Sequence, residues 1–169
     1  MPDLNATPPR APLPDPRLAQ LQQVINTEIP ICQKLGVVVE GIDDGALVMS
    51  CPLELNHNHQ ATAFAGSLNA LCTITGWGAT YLEVQPLDPE AVIVIRRSTI
   101  KYHRPVDSPS IVARCRMVTD AQRAYFAEML AEKGQAKLDL AIEIDHGVVE
   151  DRPRVVFAGS YVATSKQTA

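Results

Sequence analysis

The sequence predicts an α+β protein, a single domain whose antiparallel sheet wraps around a long central helix, with an extra N-terminal helix. Residues 55–82 contain no Asp, Glu, Lys or Arg, which is typical of a helix buried inside a protein. Segments of alternating apolar and polar residues lie on both sides of this stretch, and such segments form strands with one face in solvent. The links between the segments are short, which favours antiparallel neighbours.

The N-terminal half predicts an arm, a short helix and a hairpin before the central helix. Residues 1–16 contain six prolines and predict a flexible arm, so that the domain covers residues 17–169. Residues 17–28 have apolar side chains at helical spacing, and Pro30 is expected to end that helix. Two strand-like runs then flank the turn Asp43-Asp44-Gly45, an arrangement that predicts a hairpin.

The C-terminal half is mostly strand. Four strand-like segments follow the central helix, at residues 91–106, 110–118, 136–145 and 154–164. A surface helix is predicted over residues 120–133, with Asp120 as its N-cap and Gly134 as its stop. The long apolar helix must then cover the dry face of the sheet, and this arrangement is the hotdog fold.

Composition and charge exclude several classes of function. The chain has 169 residues and a formal net charge of −4, which argues against general nucleic-acid binding because phosphates require a basic surface. The sequence has no basic amphipathic segment of the kind that binds a membrane surface. The polar residues within 61–82 argue against a helix that spans the membrane. The cysteines lack metal or redox spacing, and no signal-peptide core precedes them, so we expect reduced thiols in a cytoplasmic protein.

The polar segment before the central helix alternates Asn56, His57, Asn58 and His59. If this segment is extended, the two Asn side chains point to one side and the two His side chains to the other. One pair could face a ligand, or the segment could be a polar loop whose amides bond their own backbone. A His-x-His pair can bind zinc, but no second ligand cluster is evident, so no metal site is predicted.

Gly66 and Ser67 lie where the loop becomes helix. Unpaired N–H groups and a partial positive charge at a helix N-terminus suit a thioester carbonyl that becomes an oxyanion. The other interpretation is a glycine needed only for packing. Further along the helix, Gly66, Ala70, Thr73 and Trp77 share one face, while Trp77 and Cys72 are predicted as core residues.

Basic residues concentrate on two strands that we predict to neighbour or pair. Such residues usually form a solvated sheet face, but at a pocket mouth they could bind the phosphates of coenzyme A. The residues concerned are Arg96, Arg97, Lys101, Arg104, Arg114 and Arg116.

Four segments together resemble the thioesterase family typified by the C-terminal domain of YiiD. They are "IPICQKLGVVVEG", "PLELNHNHQATAFAGSL", "TGWGATYL" and "IVIRRSTIKYHRPV", and the resemblance covers about residues 28–164. It implies a hotdog fold, assembly as a homodimer or homotetramer, and acyl-thioester substrates on coenzyme A or acyl-carrier protein. It implies no cofactor beyond the coenzyme A moiety of the substrate.

Related hotdog thioesterases have an Asn before a His-Gly-Gly turn and a carboxylate on the central helix that orients water. By this resemblance the Asn falls on Asn58 and the carboxylate position on Thr73. The turn becomes Phe64-Ala65-Gly66 and lacks its His. The chain therefore departs from that pattern at two positions.

We therefore predict an acyl-thioester hydrolase, with a non-catalytic acyl-binding module that has lost the carboxylate as the alternative. The N–H groups of Gly66 and Ser67 would hold the carbonyl oxygen, and Ser67 or Thr73 would align the water. The base would be His57, His59 or a group from a second subunit. The remaining candidates position or bind the substrate: Asn58, Asn56, Thr62, Phe64, Arg96 and Arg104.

Overall fold

The structure is a computed structural model that describes residues 15–145 and 152–166. The predicted arm lies outside the described residues except for Asp15 and Pro16, which belong to the start of the first helix. Within the described ranges, no helix is both long and apolar enough to cross a bilayer.

Four α-helices form from the residues just described, and three of them were predicted. They are α1 (Pro16–Glu28), α2 (Pro30–Leu35), α3 (Ala65–Val84) and α4 (Asp120–Lys133). Pro30 not only follows α1 but also begins α2, because proline fits the first turn of a helix, where its missing N–H costs nothing. Gly36 ends α2 in the left-handed conformation, with φ of 69°.

The N-cap of α4 is Thr119, so the prediction of Asp120 was wrong by one residue. The Thr119 side chain accepts from the backbone N–H of Gln122, and the Gln122 side chain accepts from the backbone N–H of Thr119. This reciprocal capping box satisfies two free N–H groups of the first turn. Gly134 ends the helix as predicted.

Within the described part of the chain, six strands form one antiparallel sheet in the order β1-β2-β4-β5-β6-β3. They are β1 (Val38–Asp43), β2 (Ala46–Pro52), β3 (Val92–Tyr102), β4 (Ser110–Arg116), β5 (Gln135–Ile144) and β6 (Val155–Thr164). The predicted hairpin joins β1 to β2, and Asp44 and Gly45 both have positive φ, as a two-residue type I′ turn requires.

The helix α3 packs against strands β2 to β6, and the predicted fold class is confirmed. The helix can approach the sheet closely because Gly76 and Gly78 lack side chains. A Cβ at Gly76 would collide with Tyr161, and one at Gly78 would collide with Met49. Since both neighbours are fully buried, the dry interior lies between α3 and one face of the sheet.

The prediction that the two basic strands neighbour each other was wrong. Strands β5 and β6 lie between β4 and β3, and β3 forms one edge of the described sheet. The sequence pattern could not show this, since it identifies strands but not their order in a sheet.

Candidate active site

The polar segment before α3 is a closed loop and not an extended strand, so the condition under which the two Asn side chains would point to one side is not met. A short 3-10 helix over Leu53–Leu55 precedes it, and His57 then pairs with Ala63 in an isolated antiparallel bridge. The backbone N–H of Asn58 donates to the carbonyl oxygen of Thr62 at 2.7 Å. The chain therefore reverses direction between His57 and Ala63 and returns to the start of α3.

The Asn58 side chain holds this loop together. Its Oδ1 accepts from the backbone N–H groups of Gln60 and Thr62, at 2.8 Å and 3.3 Å. Its Nδ2 donates to Thr62 Oγ1 at 3.0 Å. These contacts favour the interpretation as a polar loop whose amides bond their own backbone, and they also account for the position of Thr62.

Asn56 is buried and does not share a side with Asn58. Its Nδ2 donates to the carbonyl oxygens of Leu35 and Pro52, both at 2.8 Å. A flipped amide would place its oxygen against two other oxygens, so these partners fix its orientation. Among the described residues, Asn56 Oδ1 has no hydrogen-bond partner although it is buried. Asn56 thus fastens the loop to the end of α2.

The two histidines are exposed on this loop. His57 Nδ1 lies 3.0 Å from the carbonyl oxygen of Asn58. Because a carbonyl oxygen can only accept, Nδ1 donates the hydrogen, and in the neutral imidazole Nε2 is then the ring nitrogen with a lone pair. His59 lies in the reversing turn, whereas His57 pairs with Ala63 just before α3 begins. His57 is therefore better placed than His59 to reach a ligand at the start of α3.

The first turn of α3 has free backbone donors. Phe64 is the N-cap, and no side chain of the described residues caps the helix. The first N–H groups of a helix lack intrahelical partners, so those of Ala65, Gly66 and Ser67 are available to an acceptor. The backbone N–H of Phe64 donates to the carbonyl oxygen of Asn56 at 2.7 Å and joins this turn to the loop.

The need for a glycine at position 66 is explained first by packing. A Cβ at this position would collide with the ring of Phe64, which is 56% exposed. The glycine therefore lets Phe64 lie across the first turn of α3. This contact supports the packing interpretation, while the free N–H groups of the turn remain compatible with a bound carbonyl.

Tyr102 was not selected from the sequence as a site residue, although it lies in a segment that carries the family resemblance. Its hydroxyl donates to the carbonyl oxygen of Ala65 at 3.1 Å. This bond ties the end of the edge strand β3 to the first turn of α3. Tyr102 is 46% exposed, so it lies at the surface beside the candidate site.

The predicted basic cluster is divided between separate places. Arg114 pairs with Asp43, and Arg116 donates to the carbonyl oxygen of Asp44, so both serve the β1–β2 turn. Arg96 is exposed at the irregularity in the pairing of β3. Arg104 donates to the carbonyl oxygen of Arg152 at 2.8 Å.

A sequence model of the family described as "Putative thioesterase (yiiD_Cterm)" matches residues 18–165. The chain belongs to this family. The similarity therefore extends from the first turns of α1 to the residue after β6.

Solved structures with similar folds include a protein of unknown function from Chlorobaculum tepidum. It is 31% identical with a TM-score of 0.84, and the match covers 91% of this chain and 98% of that one. A putative thioesterase from Shewanella oneidensis is 28% identical with a TM-score of 0.75, covering 89% and 99%. A Haemophilus influenzae thioesterase at 14% identity, with a TM-score of 0.61 and coverage of 88% and 90%, shows the fold alone. These findings support the hotdog fold and a thioesterase-type function.

In this thioesterase-family chain, Thr73 lies two turns into α3. It is seven residues after Gly66, which is about 10 Å along the helix axis. Its Oγ1 donates to Asn69 Oδ1 at 3.3 Å. Asn69 was missed because a single amide in a small-residue helix gives no recognisable signal. Cys72, beside Thr73 in sequence, is fully buried, and burial raises the pKa of its thiol, so it is a core residue as predicted.

Trp77 packs against the hydrophobic core, as predicted for a core residue, but it lies at the edge of that core. It is half-buried and stacks on Tyr81, with ring centroids 5.3 Å apart. Ala70 and Thr73 are half-buried too, while Gly66 is exposed. The predicted shared face of α3 is therefore turned away from the sheet.

Proposed function

We propose that this protein is an acyl-thioester hydrolase whose substrates are acyl-coenzyme A or acyl-carrier protein. The observation that carries the proposal is the uncapped first turn of α3, which begins directly after the loop that presents His57. Backbone N–H groups at a helix N-terminus stabilise negative charge as it develops on a carbonyl oxygen. Membership of the thioesterase family supports the same reaction class.

In the proposed reaction, the thioester carbonyl oxygen accepts hydrogen bonds from the N–H groups of Gly66 and Ser67. Nε2 of His57 removes a proton from a water molecule as the water oxygen bonds to the carbonyl carbon. The carbon–sulfur bond then breaks, and the leaving thiolate receives that proton. The water is aligned by Ser67 or by the Thr73–Asn69 pair, and Asn58 holds the loop that carries His57.

The second subunit belongs to this proposal. The edge strand β3 exposes Val92 and Val94, which are 51% and 46% accessible, and a second copy pairing along β3 would cover them. Such a homodimer, or a homotetramer built from it, could supply a further base. The exposed Arg96 on the same strand would bind phosphates of coenzyme A, with Arg104 nearby in sequence. The four buried free thiols support a reducing cytoplasmic location.

The rival function is an acyl-binding module without catalysis. Its supporting observation is that α3 carries no acidic residue before Glu83, while the family resemblance puts the position of the carboxylate at Thr73. Such a module would bind acyl thioesters without consuming them.

The decisive experiment measures thiol release from acyl-coenzyme A substrates of short, medium and long chain, and from one acyl-carrier protein. A hydrolase releases thiol, and His57→Ala lowers kcat at least about tenfold, which corresponds to about 1.4 kcal/mol. His59→Ala is the matched control, since His59 lies in the turn, and it should retain most activity. Binding of all substrates without thiol release would instead establish the acyl-binding module. Loss of rate in His59→Ala but not in His57→Ala would reassign the base.

A further inference from the structure

We propose that a groove between α2 and α3 binds the acyl chain and limits its length to medium chains, of about ten to twelve carbons. The inference rests on the proposed function and names the substrate class of that site. The groove has a volume of about 260 Å³, and no charged side chain lines it. Its lining residues come from α2, from the link before it and from the outward face of α3: Ile29, Ile31, Cys32, Leu35, Ala70, Thr73, Ile74 and Trp77.

The lining of the groove begins one helical turn beyond the proposed thioester site, at Ala70. Ala70 and Thr73 lie one and two turns after Gly66 on the same helix face, so the groove runs along α3 away from its free N–H groups. On the other wall, the carbonyl oxygen of Leu35 accepts from Asn56, whose own carbonyl oxygen accepts from Phe64 N–H at the start of α3. Both walls therefore lead back to the same helix end.

Trp77 closes the far end of the groove. It also lines a second cavity of about 330 Å³, where the polar side chains of Gln20, Glu28 and Gln85 stand among apolar ones. The indole thus lies between an apolar space and one that contains polar and charged groups. An alkyl chain that reached the indole would have to enter polar surroundings to go further, which the hydrophobic effect opposes.

The helix provides a length scale for the chain. Eleven residues separate Gly66 from Trp77, which is about 16 Å at 1.5 Å per residue. Carbon–carbon bonds of about 1.5 Å at tetrahedral angles advance an extended chain by about 1.25 Å each. The full axial span corresponds to about thirteen such bonds. Helical side chains lean toward the N-terminus of the helix, which shortens the distance to the indole, so about twelve carbons reach it from the carbonyl site.

The binding test uses Trp77, which is the only tryptophan of the chain. The probes are saturated fatty-acid carboxylates from hexanoate to hexadecanoate, which cannot be hydrolysed. We expect a saturable blue shift of the indole emission that is strongest for decanoate and dodecanoate. Equal responses from all chain lengths, or none from any, would overturn the proposal.

Three variants test the groove directly through chain-length profiles of binding and thiol release. Ala70→Leu fills the groove and should weaken dodecanoate binding about tenfold while affecting hexanoate less. Ile31→Glu places a charge on an exposed lining residue, so it should fold normally and weaken dodecanoate similarly. Trp77→Ala opens the groove to the second cavity, and the preferred chain should lengthen, as measured by calorimetry. Leu87→Ala, at an exposed site outside the groove, is the control.

The outcomes separate this inference from the proposed function. Length-selective binding without thiol release would leave the groove assignment intact and reject the hydrolase. Thiol release with an unchanged length profile in both Ala70→Leu and Ile31→Glu would reject the groove and keep the hydrolase. A changed oligomeric state in these variants with unchanged binding would show that a second copy covers the groove, and would also reject the inference.

Discussion

The hydroxyl of Tyr161 donates a hydrogen bond to the backbone carbonyl oxygen of Thr73 at 3.0 Å, in the middle of α3. Tyr161 is fully buried on β6, so this bond joins the sheet to the helix inside the core. Gly76 makes room for it, because any side chain there would meet the phenol ring. The contact fixes α3 at the level of Thr73, between the proposed carbonyl site and Trp77.

Gly76→Ala should therefore destabilise the protein by about 1–3 kcal/mol, the usual cost of an extra methyl group in a filled core. The measurement is urea unfolding. Gly66→Ala is the matched control on the same helix, because its clash partner Phe64 is half exposed and can turn away. We expect the control to cost less than about 1 kcal/mol. Equal losses for the two variants would contradict the close contact at Tyr161.

A second prediction concerns the ion pair that joins α4 to the end of α3. Arg123 donates from Nε and Nη2 to the Glu83 carboxylate, at 2.7 Å and 3.0 Å. Glu83 is buried, whereas the Arg123 side chain is 45% exposed. Arg123→Ala leaves a buried carboxylate unpaired and should cost about 1–2 kcal/mol, a value reduced by solvent screening.

The control for this pair is Asp120→Asn, which removes the exposed partner of the same Arg123. Exposed pairs contribute little, so we expect a loss of about 0.5 kcal/mol or less. Chemical unfolding of both variants tests the comparison. A larger loss in Asp120→Asn than in Arg123→Ala would show that the buried pair is not the stabilising one.

A third prediction concerns the Asn58 amide, which is both a hydrogen-bond acceptor and a hydrogen-bond donor within its loop. Asn58→Ala removes the acceptor for the N–H groups of Gln60 and Thr62. The free energy needed to open the loop should therefore fall by about 1 kcal/mol. Asn58→Asp keeps that acceptor and loses only the donor to Thr62 Oγ1. Hydrogen exchange at the Gln60 and Thr62 amides should accelerate in the Ala variant and much less in the Asp variant. Similar acceleration in both would mean that the donor, not the acceptor, closes the loop.

A fourth prediction follows from the four buried thiols. Burial raises the pKa of Cys32 to about 11 and of Cys51 and Cys115 to about 12, and it also raises the pKa of Cys72. In the unfolded chain the thiols ionise near pH 8.5. Above that pH the unfolded state binds fewer protons than the folded state, so the free energy of unfolding falls as pH rises.

Between about pH 8.5 and pH 10 each thiol should lower the free energy of unfolding by up to about 1.4 kcal/mol per pH unit. Urea unfolding under reducing conditions across this range measures the slope. Cys115→Ala removes one of the ionising thiols, so the free energy of unfolding should fall less steeply with pH, by the contribution of about one proton. A free energy of unfolding that does not change over this range would contradict the raised pKa values.

The sequence by itself determined the local elements. Continuous apolar or alternating runs predicted the six described strands, the Asp44-Gly45 turn identified the hairpin, and the charge-free stretch identified α3. These features were readable because strand periodicity, turn residues and hydrophobic burial act between residues close in sequence. The four-segment resemblance added the family, which the comparisons confirmed.

The tertiary structure alone decided which of these elements meet. Strand order separated Arg96 from Arg114, although the two strands are consecutive in sequence. The loop turned the Asn58 amide onto its own backbone and buried Asn56 against α2, and the unpredicted α2 built one wall of the groove beside Thr73. Contacts of this kind depend on how the sheet and helices pack as a whole, and no periodicity within one segment records that packing.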